Sequence, residues 1–225
     1  MIKNLLNLFF PPICLACASC LSDNERYLCT DCRHELPVTN FHFNDLEVLK
    51  KVFYGRIVLE HATALLKYEK RGITQQLLHN LKYRGYEHVG TCLGVWLGHE
   101  LASIKSYNSI DVVIPVPLHK TKHRKRGYNQ VTKFGKEIAR ALNKDYNDTV
   151  LIKKRKATTQ VFKKRLARWS SVEEVFDIED TTALTGKHIL LVDDIITTGA
   201  TMEACANVLL KIPNIKLSIA SMAIA

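Results

Sequence analysis

Residues 189 to 201, ILLVDDIITTGAT, narrow the possible folds more than any other stretch of this chain. Four apolar residues read as a buried strand, two adjacent carboxylates follow, and a turn bearing threonines and one glycine opens a helical run. A strand passing through such a turn into a helix is the unit of a parallel α/β sheet. In these sheets ligands lie beyond the carboxyl ends of the strands, facing the positive end of the helix. Gly199 allows the backbone close approach to an anion. Thr197, Thr198 and Thr201 add hydroxyl donors with little bulk, and with Ala200 they complete a phosphate cradle. Asp193 and Asp194 cannot grip that same phosphate, because like charges repel. The paired hydroxyls of a ribose, with Mg²⁺ close by, suit them better. A sugar carrying a phosphate at one end and vicinal hydroxyls in its middle fits both halves. Acidic residues that only stabilise a helix dipole are the plainer alternative.

The surrounding periodicity agrees with a layered sheet. Residues 61 to 68 are short and apolar enough for a strand, whereas Ile73, Leu77, Leu78 and Leu81 recur at helical spacing. Leu93, Trp96, Leu97, Leu101 and Ile104 mark a second helix, and residues 111 to 117, DVVIPVP, read as a buried strand stopped by prolines. Val131, Phe134, Ile138 and Leu142 mark a third helix. Residues 149 to 178 form a basic, Thr-rich stretch read as a hairpin or flap, and a strand over 187–193, a helix over 199–211 and a strand over 215–224 complete the chain. Alternating strands and helices imply a mainly parallel sheet flanked by helices.

Five of the seven cysteines fall between 14 and 32, and four read Cys14-x2-Cys17-x11-Cys29-x2-Cys32. Two such knuckles can hold Zn²⁺ tetrahedrally with no open position for water, a structural rather than catalytic site. Cys17-x2-Cys20 is also a legal knuckle, and His34 is an alternative ligand. Cys92 and Cys205 sit in apolar helical patterns and read as inert core residues. The expected organisation is a zinc finger over 1–40, a connector with one short helix over 41–60, and the sheet domain over 61–225. Asn4, Asn7 and the Pro11-Pro12 pair argue against an N-terminal secretion signal. No stretch approaches the roughly 18 to 20 apolar residues of a membrane span, so a cytoplasmic protein without membrane insertion is expected.

The net charge of +10 is local. Residues 115–130 and 151–170 hold thirteen of the thirty-two Lys and Arg residues and no Asp or Glu. Such segments favour an anionic ligand, either a polyphosphate or a nucleic-acid backbone. Lys82, Arg84, His119, Lys120, Arg124 and Arg126 are the candidate pyrophosphate and flap-side cations. Tyr128, Phe162 and Trp169 lie among the bases and could stack on nucleobases or anchor the segments in the core.

These motifs together resemble the ComF branch of competence-associated, type I phosphoribosyltransferase-like proteins. The resemblance rests on the cysteine finger, LKYRG at 81–85, the PVPLH and RGYNQ segments within 111–130, residues 158–176 and the 189–201 motif. It implies an Mg-dependent protein that binds 5-phosphoribosyl-1-pyrophosphate (PRPP), linked to DNA uptake, with an unspecified acceptor. Asp193 and Asp194 would be the catalytic pair on the ribose, Thr197 to Thr201 would hold the 5-phosphate, the loop after Pro117 would face pyrophosphate, and 153–168 would be a flap. A module that binds single-stranded DNA without turnover, or one whose finger docks a competence helicase, is the alternative. Residues 167–172, ARWSSV, depart from the family's usual ERWENV and lose a Glu and an Asn.

Overall fold

In the computed structural model, residues 10–44, 47–155, 174–179 and 181–225 are described. Among them, helices α1 (Thr30–His34), α2 (Phe41–Asn44) and α3 (Val48–Lys51) precede strand β1 (Ala62–Lys67). Helices α4 (Ile73–Tyr83) and α5 (His88–Ala102) lead to β2 (Val112–Pro115). Then come α6 (Lys120–Arg126), α7 (Thr132–Leu142) and the short β3 (Asp145–Tyr146). Strands β4 (Leu151–Arg155) and β5 (Glu174–Ile178) form an antiparallel pair, followed by β6 (His188–Ile196), α8 (Ala200–Leu209) and β7 (Lys216–Ile224). The main sheet runs β1-β7-β6-β2-β3 with every pairing parallel, as the alternating periods require.

The sheet separates two apolar layers. Leu190 and Val192 pack with α4, α5 and α7 on one face, while Ile189 and Leu191 pack with α8 and the 49–59 segment on the other. This is the period-2 alternation of a strand buried on both faces. Helices α5 and α7 approach closely because Gly94 presents no side chain: a Cβ there would lie 2.6 Å from the Phe134 carbonyl oxygen.

Four sequence expectations change. The 41–60 connector carries two short helices rather than one, and Leu49 and Phe53 from it are fully buried. Ile104 lies beyond the end of α5, at the start of a 3-10 turn over Lys105–Ser109. Residues 120–126 form a helix, not a loop, with His119 Nδ1 accepting from the Thr121 N–H and Gly127 (φ +85) closing the other end. The strand expected to stop at 193 continues to Ile196, because β7 keeps pairing with it to Ile224 after β2 has ended at Pro115. The basic stretch is indeed based on a hairpin, but its central residues, including Phe162, Trp169 and 167–172, lie outside the described ones. No helix among the described residues is long and apolar enough to cross a membrane.

The finger packs onto the sheet domain. Cys14, Ala16, Leu28, Cys32 and Leu36 share one apolar cluster with α4, α5 and α7, and Asn80 Nδ2 donates to the Leu15 carbonyl over 2.8 Å.

Candidate functional site

The acidic pair occupies a corner made by unequal strand lengths. Pro115 and Pro117 end β2, so beyond Val192 the central strand β6 is paired only on its β7 side. Asp193 and Asp194 lie just past that point, and both are buried, at 7% and 5% exposure. Successive strand residues face opposite sides of a sheet, and Asp194 is the one that meets α4 and the turn leading into α7. Its Oδ2 accepts from Gln130 Nε2 at 2.8 Å and pairs with Lys82 Nζ at 2.9 Å. Asp193 receives the Asp194 backbone N–H on Oδ1 at 2.8 Å. Its burial and then the neighbouring Asp194 charge push the Asp193 carboxyl up to about 8. The pair is therefore asymmetric, with one carboxylate balanced by a lysine and the other strained by desolvation.

The turn that follows is an open cradle on a fixed base. Thr197, Thr198, Ala200 and Thr201 are exposed, whereas Gly199 is buried with φ +78. A Cβ on Gly199 would stand 2.7 Å from Phe53 Cε1, so both the left-handed backbone and the close packing demand glycine. Arg56 supports the turn from outside. It pairs with Glu203 at 2.6 Å and donates to the Thr198 carbonyl at 3.2 Å. The exposed donors straddle the start of α8, whose positive end suits a phosphate.

The candidate cations divide among three cavities. His119, Lys120 and Arg124 line one of about 510 Å³ together with Lys153 and Lys154 at the base of the β4–β5 hairpin. The two basic segments, distant in sequence, thus meet in space. Lys82 and Arg126 instead line a groove of about 320 Å³ on the other flank of α6, with Lys122, Lys125, Tyr83 and Tyr128. Arg84 stands apart from both, in a groove of about 530 Å³ between the finger and α4 that also takes in Arg71, His79 and Cys17. Tyr128 is half-buried and donates its hydroxyl to the Leu81 carbonyl. Sequence reasoning missed Gln130, Phe53 and Arg56. RGYNQ was visible as a motif, but nothing in the periodicity pointed its glutamine at Asp194.

At the finger, the ligand atoms of Cys14, Cys17, Cys29 and Cys32 all lie within 4.8 Å of one another, and Cys20 and His34 are not in the group. The Cys17 and Cys29 sulfurs are 3.7 Å apart. Tetrahedral Zn–S bonds of about 2.3 Å place sulfurs about 3.8 Å apart, so the cluster can hold a metal ion such as zinc. The Cys29 N–H points at Cys14 Sγ over 3.4 Å and the Cys32 N–H at Cys29 Sγ over 3.5 Å, as amide donors supporting thiolates would. Hydrogen bonds to Ser19 hold the Cys17 thiol down to about 6, while burial pushes Cys32 up.

The chain is similar to several known proteins. The family model described as "Phosphoribosyl transferase domain" matches residues 132–225. The "DNA utilization protein YhgH" of Escherichia coli (strain K12) is 26% identical over 205 residues, spanning 88% of this chain and 84% of its own. "Competence protein ComFC" of Bacillus subtilis (strain 168) is 25% identical over 199 residues, spanning 88% and 78%. Among solved structures, adenine phosphoribosyltransferase from Leishmania tarentolae aligns with a TM-score of 0.39 at 11% identity, over 61% of this chain and 71% of that one.

Proposed function

The chain belongs to the ComF family of phosphoribosyltransferase-like proteins, and on that premise we propose that it binds PRPP with Mg²⁺ and transfers its phosphoribosyl group during the handling of incoming DNA. The observation that carries this reading is the buried, asymmetric Asp193–Asp194 pair placed directly before the glycine-centred turn at the start of α8. Asp194, fixed by Lys82 and Gln130, presents its remaining lone pairs to a ribose hydroxyl. Thr197, Thr198 and Thr201, with the backbone at Gly199 and Ala200, hold the 5-phosphate. His119, Lys120 and Arg124 meet the pyrophosphate, with Lys153 and Lys154 opposite them. The donors here that suit a divalent cation are the hard carboxylate oxygens of Asp193 and Asp194, which would hold it beside the Lys82 ammonium that already balances part of their charge. Bound there, Mg²⁺ would offset the charge of the departing pyrophosphate. Cationic character develops at C1 as the C1–O bond breaks, and the protein's part is to hold the sugar rigidly and keep water from it. Zinc in the four-cysteine cluster is structural in this reading, since no coordination position is left open.

Calorimetric titration of PRPP with and without millimolar Mg²⁺ tests the assignment. Binding should need the metal and disappear in the Asp194→Ala variant with the sheet still folded by circular dichroism. Unchanged binding in that variant would sink it.

A second reading, single-stranded DNA binding without transfer, is favoured by the bases of α6 and of the hairpin sharing one cavity. The names of the relatives fit it too. Both ligands would then meet at one mouth, and saturating PRPP should compete with DNA in a filter-binding assay.

A further inference from the structure

Helix α6 divides its cations between two cavities. Lys120 and Arg124 face the hairpin, together with His119 at the N-cap. Lys122, Lys125 and Arg126 face the opposite way, toward α4. A departing pyrophosphate occupies one of these flanks at a time, so the second basic cavity is left for another anion. Its composition says what kind. Four cations line it, Lys82, Lys122, Lys125 and Arg126, with no acidic residue among the described residues on its walls. Its remaining side chains are two tyrosines. Tyr83 is largely exposed and has Arg126 over its ring at 5.9 Å, while Tyr128 is held in place by its hydroxyl's bond to the Leu81 carbonyl. At about 320 Å³ the groove suits a single ring with its substituents rather than a large ligand. It also adjoins the sugar site, because Lys82 lines the groove and reaches Asp194 with the same ammonium group, 2.9 Å from Oδ2.

We propose that this groove is the acceptor pocket, and that the acceptor is a flat anionic ring, such as an aromatic or heteroaromatic carboxylate, stacked on Tyr83 with its charge met by Lys122 and Lys125. The proposal rests on the PRPP-transfer reading above. The acceptor's nucleophilic nitrogen, in the ring or attached to it, forms the new bond to C1 as the C1–O bond breaks. That bond's electron pair leaves on pyrophosphate, and any proton on the attacking atom passes to solvent. Neutral purines and pyrimidines are disfavoured here because Lys82 already has Asp194 as its counter-charge, whereas the walls offer none to Lys122 and Lys125.

The experiment titrates the zinc-loaded, full-length protein with orotate and anthranilate as anionic rings, adenine and uracil as neutral rings, and a dT10 oligonucleotide. Each titration is run with and without saturating ribose 5-phosphate, which fills the sugar site without turnover. At least one anionic ring should bind ten or more times tighter than either neutral ring. The Lys122→Gln/Lys125→Gln variant should lose that preference and keep PRPP affinity, whereas Lys120→Gln/Arg124→Gln should weaken PRPP and spare the anionic ring. Neutral rings binding as tightly as anionic ones would overturn the proposal. So would binding of dT10 alone, which would make the groove a track for a strand, or equal effects of the two variants on both ligands. PRPP titration of the wild type separates the two levels: if PRPP binds and no anionic ring does, only the acceptor assignment falls, and if PRPP fails to bind, the transfer reading falls with it.

Discussion

Replacing Asp193 by Asn should make the ligand-free protein more stable, and increasingly so as pH rises from 5 to 7. The side chain is 7% exposed, lies beside the Asp194 carboxylate and titrates near 8 in the fold, against 3.8 for an ordinary aspartate. A carboxyl whose folded pKa is raised contributes stability that is complete below the unfolded value and is lost as pH climbs toward the folded one. Over that window the folded chain keeps a proton that the unfolded chain has released. Each pH unit there costs about 1.4 kcal/mol. Between pH 5 and pH 7 the advantage of Asn over Asp should therefore grow by about 2 to 3 kcal/mol and level off above pH 8. Asparagine keeps the Oδ1 acceptor for the Asp194 N–H, so the bond seen at 2.8 Å survives. Urea unfolding of both proteins at pH 5, 6 and 7, with zinc saturating, measures the difference. Titrating groups that do not interact with Asp193 are shared and cancel. A stability gap that stays constant or shrinks over this range would refute the picture of a carboxyl strained by burial. The same variant should bind Mg–PRPP poorly, which would identify the instability as the cost of function.

Gly199→Ala should lose about 1 to 3 kcal/mol, from the left-handed backbone at φ +78 and the overlap with Phe53, and should weaken PRPP binding; denaturant midpoints and calorimetry check both. Lys82→Met removes the ammonium that pairs with Asp194 and should destabilise the fold by about 3 kcal/mol, an effect that Asp194→Asn in the same chain should largely relieve in a double-mutant cycle. Metal analysis should find one zinc per chain, and Cys29→Ser should release it. Because the finger shares an apolar cluster with α4, α5 and α7, that loss should lower the melting temperature of the whole domain rather than unfold the finger alone. If single-stranded DNA binds at the hairpin side of α6, Lys153→Gln/Lys154→Gln should reduce the slope of log affinity against log salt by about 1.4, or about 0.7 per lost contact.

Much of this molecule could be read from local order. The alternation of short apolar runs with 3.6-residue periods determined a parallel sheet wrapped by helices, because a strand buried on both faces and a one-sided helix leave different signatures in the chain. The spacing of Cys14, Cys17, Cys29 and Cys32 determined the cluster, since each knuckle sets its own sulfurs within reach of one ion. The turn from Asp193 to Thr201 was equally legible, as its residues are neighbours along the chain. Tertiary structure decided what none of these local signals carries. It brought Lys82 from α4 and Gln130 from the turn before α7 onto Asp194, because β2 stops at its prolines and leaves that corner of β6 open. It turned residues 120–126 into a helix and thereby sent a single run of bases into two cavities, a division that charge counting along the sequence cannot see. It also placed Phe53 beneath Gly199, some 146 residues later in the chain. Periodicity reports which face of an element is buried, but the partner on that face is chosen by packing among elements far apart in sequence.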